Sequence, residues 1–211
     1  NSLRKRFFMF IGKYNMSLII TYVGVIFAVV GMYFAFRLDY KYSMICMVIS
    51  GVCDLFDGKV ARMWKRTQEE KEFGIQLDSL ADTIDFVVFP VVFGYTLGLN
   101  KWYHIIGYEL IAMAGVQRLA HFNVLVSNKN DDGPVKFYSG LPVTSTSITF
   151  PLIYLLSKLI GFTAYKIVYI CLVYLTAVLF ITNIKIPKLK GKGYPIAAVV
   201  AILGIIGLIL M

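Results

Sequence analysis

Long uninterrupted apolar runs dominate this chain, and short polar or charged stretches separate them. The long runs cover residues 17–36, 42–64, 102–126, 143–160 and 164–183. Another begins near residue 73, and a shorter one covers residues 196–211. A helix of roughly 20 apolar residues crosses a bilayer, and continuous rather than alternating runs exclude a barrel. We therefore predict an all-α integral membrane protein.

Composition supports this fold class and limits the kinds of partner that we expect the protein to bind. The chain of 211 residues is 58% hydrophobic, with a mean hydropathy of +0.72. Its formal net charge is +9, but the basic residues lie between apolar runs and form no stripe with interleaved aromatics. We expect contact with anionic membrane lipids and no binding of nucleic acid.

The distribution of charge also predicts segments and orientation. Residues 1–16 form a basic amphipathic segment expected to lie on the membrane surface, residues 17–184 the transmembrane catalytic bundle, and residues 185–211 a basic connector with a C-terminal transmembrane helix. Lys and Arg concentrate at the N-terminus and in residues 65–71, 129–136 and 185–192. By the positive-inside rule these segments are cytoplasmic, which predicts a multi-pass protein of the cell membrane.

Four aspartates interrupt the second and third apolar runs. Asp54 and Asp57 are spaced i, i+3, and Asp78 and Asp82 are spaced i, i+4, so each pair shares one face of a helix. Ionised groups at membrane depth are costly unless they are paired or bound to metal. Both pairs are predicted near the same, cytoplasmic membrane face, where they would line one cavity.

Converging carboxylates repel each other unless a cation compensates. Residues 54–85 contain neither Cys nor His, and ligation by oxygen alone favours magnesium, manganese or calcium. Gly58 and Ala61 leave a bare patch of helix where a flat ligand can approach, and Arg62 can meet a phosphate. Together these features indicate phosphoryl transfer from a nucleotide-activated substrate.

The same residues resemble a family signature. The pattern D-x-x-D-G-x-x-A-R, followed by G-x-x-x-D-x-x-x-D, is similar to that of the CDP-alcohol phosphotransferases. It comprises Asp54, Asp57, Gly58, Ala61, Arg62, Gly74, Asp78 and Asp82. The spacer between Arg62 and Gly74 is longer than the family's usual one. Residues 118–124 and 137–142 are similar to stretches of the phosphatidylserine synthase branch.

The resemblance implies a six-helix catalytic bundle, a homodimer, and one or two Mg²⁺ or Mn²⁺ ions. It also implies transfer of a phosphatidyl group from CDP-diacylglycerol to L-serine with release of CMP. Asp54, Asp57 and Asp78 would be the main metal ligands, with Asp82 shared between a second metal and general-base work. Gly58, Ala61, Arg62 and Gly74, beside Asp54 and Asp78, would line the nucleotide and phosphate pocket.

Three residues of the fourth apolar run are candidates for binding the acceptor: Arg118, His121 and Asn123. A guanidinium inside a span needs an acidic partner, which either the carboxylate of serine or a phosphate supplies. A structural ion pair of Arg118 with Glu109 or Asp85 is the alternative. Hydrogen bonding at a helix end also explains His121 and Asn123. The hydroxyls of Thr144 and Ser145 are expected to cap the fifth span.

Four other interpretations remain open. The acceptor can instead be glycerol phosphate or inositol phosphate, although a phosphorylated acceptor needs more cations at the cavity than we find. A polyprenyl transferase also holds a diphosphate through magnesium, but its acidic motifs lie farther apart. A divalent-cation transporter does not need Gly58, Ala61 and Arg62 at fixed spacings from the aspartates. A purely structural pairing of the carboxylates with loop cations would leave those spacings unexplained.

Overall fold

The computed structural model describes residues 16–61, 63, 66–127, 137–187 and 193–211. Its helices are α1 (Met16–Phe36), α2 (Tyr40–Ala61), α3 (Gln68–Asp82), α4 (Phe89–Thr96), α5 (Trp102–Ser127), α6 (Thr146–Ile160), α7 (Phe162–Ile181) and α8 (Gly193–Leu210). A π-helical turn, Thr83–Val88, joins α3 to α4, and a 3₁₀ turn, Val143–Ser145, precedes α6. The predicted all-α class is confirmed, apart from two short strands described below.

Three helical stretches of the described residues are long and apolar enough to cross a membrane. They are Leu18–Phe36, Val143–Ile160 and Phe162–Ile181. Their outward side chains are apolar: Ile26 is 59% exposed and Leu159 82% exposed, as expected of a lipid-facing surface. The crossing of the membrane by α2, by the stretch from α3 to α4, by α5 and by α8, and therefore the number of spans, stays a prediction.

Helix α3 begins earlier than the sequence suggested. We expected a charged loop up to residue 72, but the helix starts at Gln68 behind a capping box. The Thr67 N–H donates to Glu70 Oε2 at 2.8 Å, and the Glu70 N–H donates to Thr67 Oγ1 at 3.2 Å. These two bonds satisfy backbone donors at the helix start, which is why a charged sequence can be helical here. The predicted loop is wrong from Gln68 onward.

The π-helical turn lies at the centre of the bundle, where it contacts α1, α2, α5 and α6. Phe86 in this turn, and Phe89 and Phe93 just after it, are completely buried. Neighbouring helices approach closely through glycines. A Cβ on Gly31 of α1 would lie 2.4 Å from the Phe89 ring, and one on Gly115 of α5 would lie 2.5 Å from Val87. Small residues therefore set the spacing of this bundle.

A two-stranded ribbon joins the segment before α6 to the segment after α7. Strand β1 (Phe137–Ser139) pairs antiparallel with β2 (Lys185–Pro187), with Tyr138 opposite Ile186. Gly140 follows with a φ of 79°, and its N–H donates to Ile184 O at 2.8 Å. The ribbon was not predicted. Of the predicted terminal segments, residues 1–15 and 188–192 lie outside the described residues.

Replacing Gly31 by leucine tests the role of the glycine contacts. The new side chain must overlap the Phe89 ring, and overpacking of this kind costs about 1–3 kcal/mol. We expect a lower apparent Tm in detergent. Gly204→Leu is the matched control, because a Cβ there meets no atom within 4 Å among the residues that the structure describes. Equal Tm values for the two variants would contradict the close packing.

Candidate metal and substrate site

Two helix ends bring three of the predicted aspartates together. Asp54 lies in the last turns of α2, whereas Asp78 and Asp82 lie where α3 passes into the π-helical turn. Carboxylate oxygens of Asp54, Asp78 and Asp82 lie within 4.8 Å of one another, and all three side chains are half-buried. We call this group the carboxylate triad.

The triad fits a hard divalent cation. It offers oxygen ligands only, and three negative groups at this separation repel each other strongly in a partly buried site. A bound cation removes that repulsion and uses the carboxylates as ligands. The triad therefore supplies what a divalent metal site requires.

Asp57 lies outside the triad in this structure. Its side chain is buried, and its Oδ2 accepts a hydrogen bond of 2.9 Å from Thr21 Oγ1 of α1. No role was predicted for Thr21. Its hydroxyl within a nearly continuous apolar span is the feature of the sequence that could have indicated one. Asp57 is thus held by α1 beside the other carboxylates.

The predicted nucleotide-binding residues lie at the ends of α2 and α3. A Cβ on Gly58 would meet no atom of the described residues within 4 Å, so as far as they extend the backbone is open to a ligand there. A Cβ on Gly74 would lie 3.5 Å from Nη1 of Arg66, which places an unpredicted guanidinium at this position. Ala61 ends α2 and is half-buried. Arg62 lies outside the described residues.

Asp85 is the most buried of the acids in the π-helical turn region, at 3% exposure. Ser50 Oγ of α2 donates to its Oδ2 at 2.7 Å. Its Oδ1 has no hydrogen-bond partner within the described part of the chain. Asp85 therefore pairs with a polar group on a neighbouring helix.

The three predicted acceptor-binding residues face two different neighbours. Arg118 and His121 line a polar cleft of about 380 Å³ between α5 and the end of α7. The Arg118 Nε–H also donates to the carbonyl of Leu141. Asn123 instead faces α3, where its Oδ1 accepts from Ser79 Oγ at 2.8 Å. Because Ser79 follows Asp78, Asn123 lies nearer the triad helix than the cleft.

Hydroxyl groups ahead of α6 face the triad from the other side. Thr144 and Ser145 line a cavity of about 190 Å³ together with Asp54. The predicted capping is wrong for Ser145: it occupies the N-cap position of α6, but its side chain makes no capping bond. Its Oγ is buried without a hydrogen-bond partner among the residues that the structure describes. Ser145 has helical backbone angles, φ −59° and ψ −24°, instead of the extended ones typical of a capping residue, so its hydroxyl does not bond to the first turn of the helix.

Comparison with known proteins agrees with this arrangement. The family model for the CDP-alcohol phosphatidyltransferases matches residues 14–181, which include the whole triad and the hydroxyl-lined cavity up to α6. The chain therefore belongs to the CDP-alcohol phosphatidyltransferase family, a class of membrane-embedded enzymes.

Its relatives include a CDP-diacylglycerol–serine O-phosphatidyltransferase of Saccharomyces cerevisiae, 34% identical over 47% of this chain and 36% of the relative. An archaetidylserine synthase of Methanothermobacter thermautotrophicus is 31% identical over 72% of this chain and 60% of its own length. A CDP-diacylglycerol–serine O-phosphatidyltransferase of Helicobacter pylori is 30% identical over 81% of this chain and 72% of the relative. The chain thus spans less than two thirds of the first two relatives.

Binding of Mn²⁺ tests the triad without reference to any reaction. We expect Asp78→Asn to weaken binding of Mn²⁺ by about tenfold or more, since even partners of metal ligands contribute that much. Titration of the purified protein, followed by the electron paramagnetic resonance of free Mn²⁺, measures the change. Asp39→Asn is the control, because Asp39 is exposed at the other end of α2. Equal affinities for both variants would exclude Asp78 as a ligand.

Proposed function

We propose that this protein is a phosphatidylserine synthase, which transfers the phosphatidyl group of CDP-diacylglycerol to the hydroxyl of L-serine and releases CMP. The observation that carries the proposal is the carboxylate triad, which borders a hydroxyl-lined cavity within a chain of this family. Two of the three relatives described above are named for CDP-diacylglycerol and the third for archaetidylserine, but the name of each specifies serine. Serine is therefore the acceptor that we favour.

The proposed cofactor is Mg²⁺ or Mn²⁺, as one ion or two. Asp54, Asp78 and Asp82 would hold it, and Asp57 would join them if its bond to Thr21 is exchanged for the metal. A bound divalent ion supplies neutralisation of the diphosphate and stabilisation of CMP as the leaving group. Gly58, with its open backbone, favours an approach of the nucleotide from the end of α2.

The proposed reaction is a displacement at the phosphorus atom that carries the diacylglycerol group. The serine hydroxyl oxygen forms a new bond to this phosphorus while the bond to the CMP oxygen breaks. The hydroxyl proton passes to a carboxylate of Asp82, which we propose as general base because a serine hydroxyl has a high pKa. CMP leaves with the electron pair of the broken bond. Catalysis is then mainly positioning and charge neutralisation.

Two groups of residues complete the proposed substrate pockets. Ala61, Arg62 and Gly74 would line the cytidine and phosphate pocket, and the nearness of Arg66 to Gly74 adds a second cation for the diphosphate. Arg118, His121 and Asn123 are proposed for the acceptor. The cleft at Arg118 and His121 supports binding of an anionic group such as the carboxylate of serine.

The remaining parts of the proposal concern location and assembly. We propose that the protein lies in the cell membrane with the triad facing the cytoplasm, and that it is a homodimer. The preference of Lys and Arg for one set of loops supports this orientation. We also propose that residues 17–184 are the catalytic unit, to which residues 1–16 and 185–211 are additions.

One assay separates the proposed function from its alternatives. Purified protein is given labelled CDP-diacylglycerol, Mg²⁺ or Mn²⁺, and each acceptor in turn. We expect CMP release with L-serine. Release with glycerol phosphate or inositol phosphate alone would change the acceptor. Absence of release with every acceptor would favour a polyprenyl transferase or a cation transporter.

Replacement of Asp82 by asparagine tests its role as base. Asparagine keeps the size of the side chain but cannot accept the proton, and loss of general-base catalysis lowers turnover by about 10²–10⁴-fold. We expect CDP-diacylglycerol to bind still, as measured by equilibrium binding, while CMP release with serine is lost. Wild-type turnover in this variant would remove Asp82 from the base role. Asp39→Asn again serves as control.

Replacement of Arg118 by lysine distinguishes acceptor binding from structural bracing. Lysine keeps the positive charge but cannot form the planar, bidentate pair of hydrogen bonds that a guanidinium makes with a carboxylate. We expect the KM for serine to rise by about tenfold, because the loss of one charge-assisted hydrogen bond weakens binding by about that factor. We expect little change in kcat. An unchanged KM for serine together with a lower Tm would show that Arg118 only stabilises the fold, through its hydrogen bond to the Leu141 carbonyl.

A further inference from the structure

Two neighbouring cavities extend from Asp54 along α2, α6 and α8. The cavity beside Asp54 shares four lining residues with a second cavity of about 270 Å³ between these helices. The shared residues are Val48, Ser147, Ile148 and Ala201. The two cavities therefore adjoin each other, and we call them together the α8 groove.

The chemistry of the α8 groove changes along its length. At one end Asp54 and Thr144 add polar groups to a lining that also includes apolar residues such as Val52. At the other end it is lined by Leu152 and Leu155 of α6 and by aliphatic side chains of α8. This polarity matches an amphipathic ligand whose charged head lies at Asp54 and whose hydrocarbon tail extends away from it.

The length of the groove matches one leaflet of a bilayer. From Ser145 at the polar end to Leu155 at the apolar end, α6 advances about 15 Å at the rise of an α-helix. The hydrocarbon core of a bilayer is about 30 Å thick, so this distance is half of it. A ligand with its head at the membrane face would therefore place one chain within its own leaflet.

Helix α8 is held against the bundle near its C-terminal end, beyond an open gap. A Cβ on Gly207 would lie 3.4 Å from Leu155 of α6, and Lys41 Nζ at the start of α2 donates to Ile209 O at 2.7 Å. One turn before Gly207, a Cβ on Gly204 meets no atom of the described residues within 4 Å. Gly204 also lines the groove, so it faces open space.

We propose that α8 forms the outer wall of a binding site for one acyl chain of the CDP-activated lipid. Helix α8 lies beyond residues 14–181, which the family model matches. This chain's own C-terminal helix therefore sets how far along the groove a chain can lie. The inference rests on the proposed function for the identity of the lipid, but its test includes binding and does not need turnover.

The experiment compares long-chain dioleoyl and short-chain dioctanoyl CDP-diacylglycerol with the full-length protein in detergent. Gly204→Phe fills the groove where the longer chain passes, whereas the shorter chain ends before it. We expect the Kd of the dioleoyl lipid to rise by about tenfold, because roughly two methylene groups of its acyl chain would no longer be buried in the groove. The Kd of the dioctanoyl lipid should change by less than about twofold.

Ile202→Phe is the control, because it places the same phenylalanine side chain on α8 at a position that is 56% exposed and outside the groove lining. Gly204→Leu repeats the test with a smaller side chain and a better helix former, should the phenylalanine variant not fold. Equal effects of Gly204→Phe on both lipids, or none on either, would overturn the inference. So would a change of oligomeric state alone, which would assign the groove to a second copy of the chain.

CMP release with serine is measured in parallel. Wild-type protein that binds both lipids but releases no CMP would refute the proposed function. The chain-length dependence of binding would still test whether the groove holds an acyl chain. Wild-type protein that releases CMP, with Gly204→Phe showing no selectivity against the longer lipid, would refute the groove alone.

Discussion

Electrostatic repulsion among Asp54, Asp78 and Asp82 is the constraint around which the rest of the site is arranged. Three carboxylates within 4.8 Å of one another are tolerable only where packing forces hold them and a positive charge compensates. The bundle supplies the first condition through its buried aromatic core. The divalent cation that we propose would supply the second, and its remaining positive charge would attract the phosphates of the substrate. In this proposal, metal binding and substrate binding are parts of one balance of charge.

The packing force comes from close approach of helices around the π-helical turn. Gly31 and Gly115 admit the side chains of Phe89 and Val87 from this central segment, and Gly51 of α2 lies directly against Ser147 of α6. A wider turn at a functional site is a common use of π-helical geometry. Here the turn begins directly after Asp82 and carries Asp85, so the core and the carboxylates are positioned by the same few residues.

The site joins two environments. The triad and the hydroxyls of Thr144 and Ser145 are polar, while the groove that leaves them is bounded by aliphatic side chains of α6 and α8. A lipid with a charged head needs both environments in continuity, because moving either part into the other is costly. Ala201 of α8 lines both cavities, so a helix outside the family-matched region contributes to the same surface.

The sequence by itself determined the membrane class, the pairing of acids on helix faces and the family. These follow from local properties: the length of an apolar run and the period of a helix do not depend on neighbours. It did not determine that Asp57 bonds to Thr21, that Arg118 and Asn123 face different helices, or that Ser145 leaves its hydroxyl uncapped. Those contacts depend on how each helix is rotated and which helix lies beside it. Only the tertiary structure decides that, because side-chain packing between segments distant in the sequence sets the rotation.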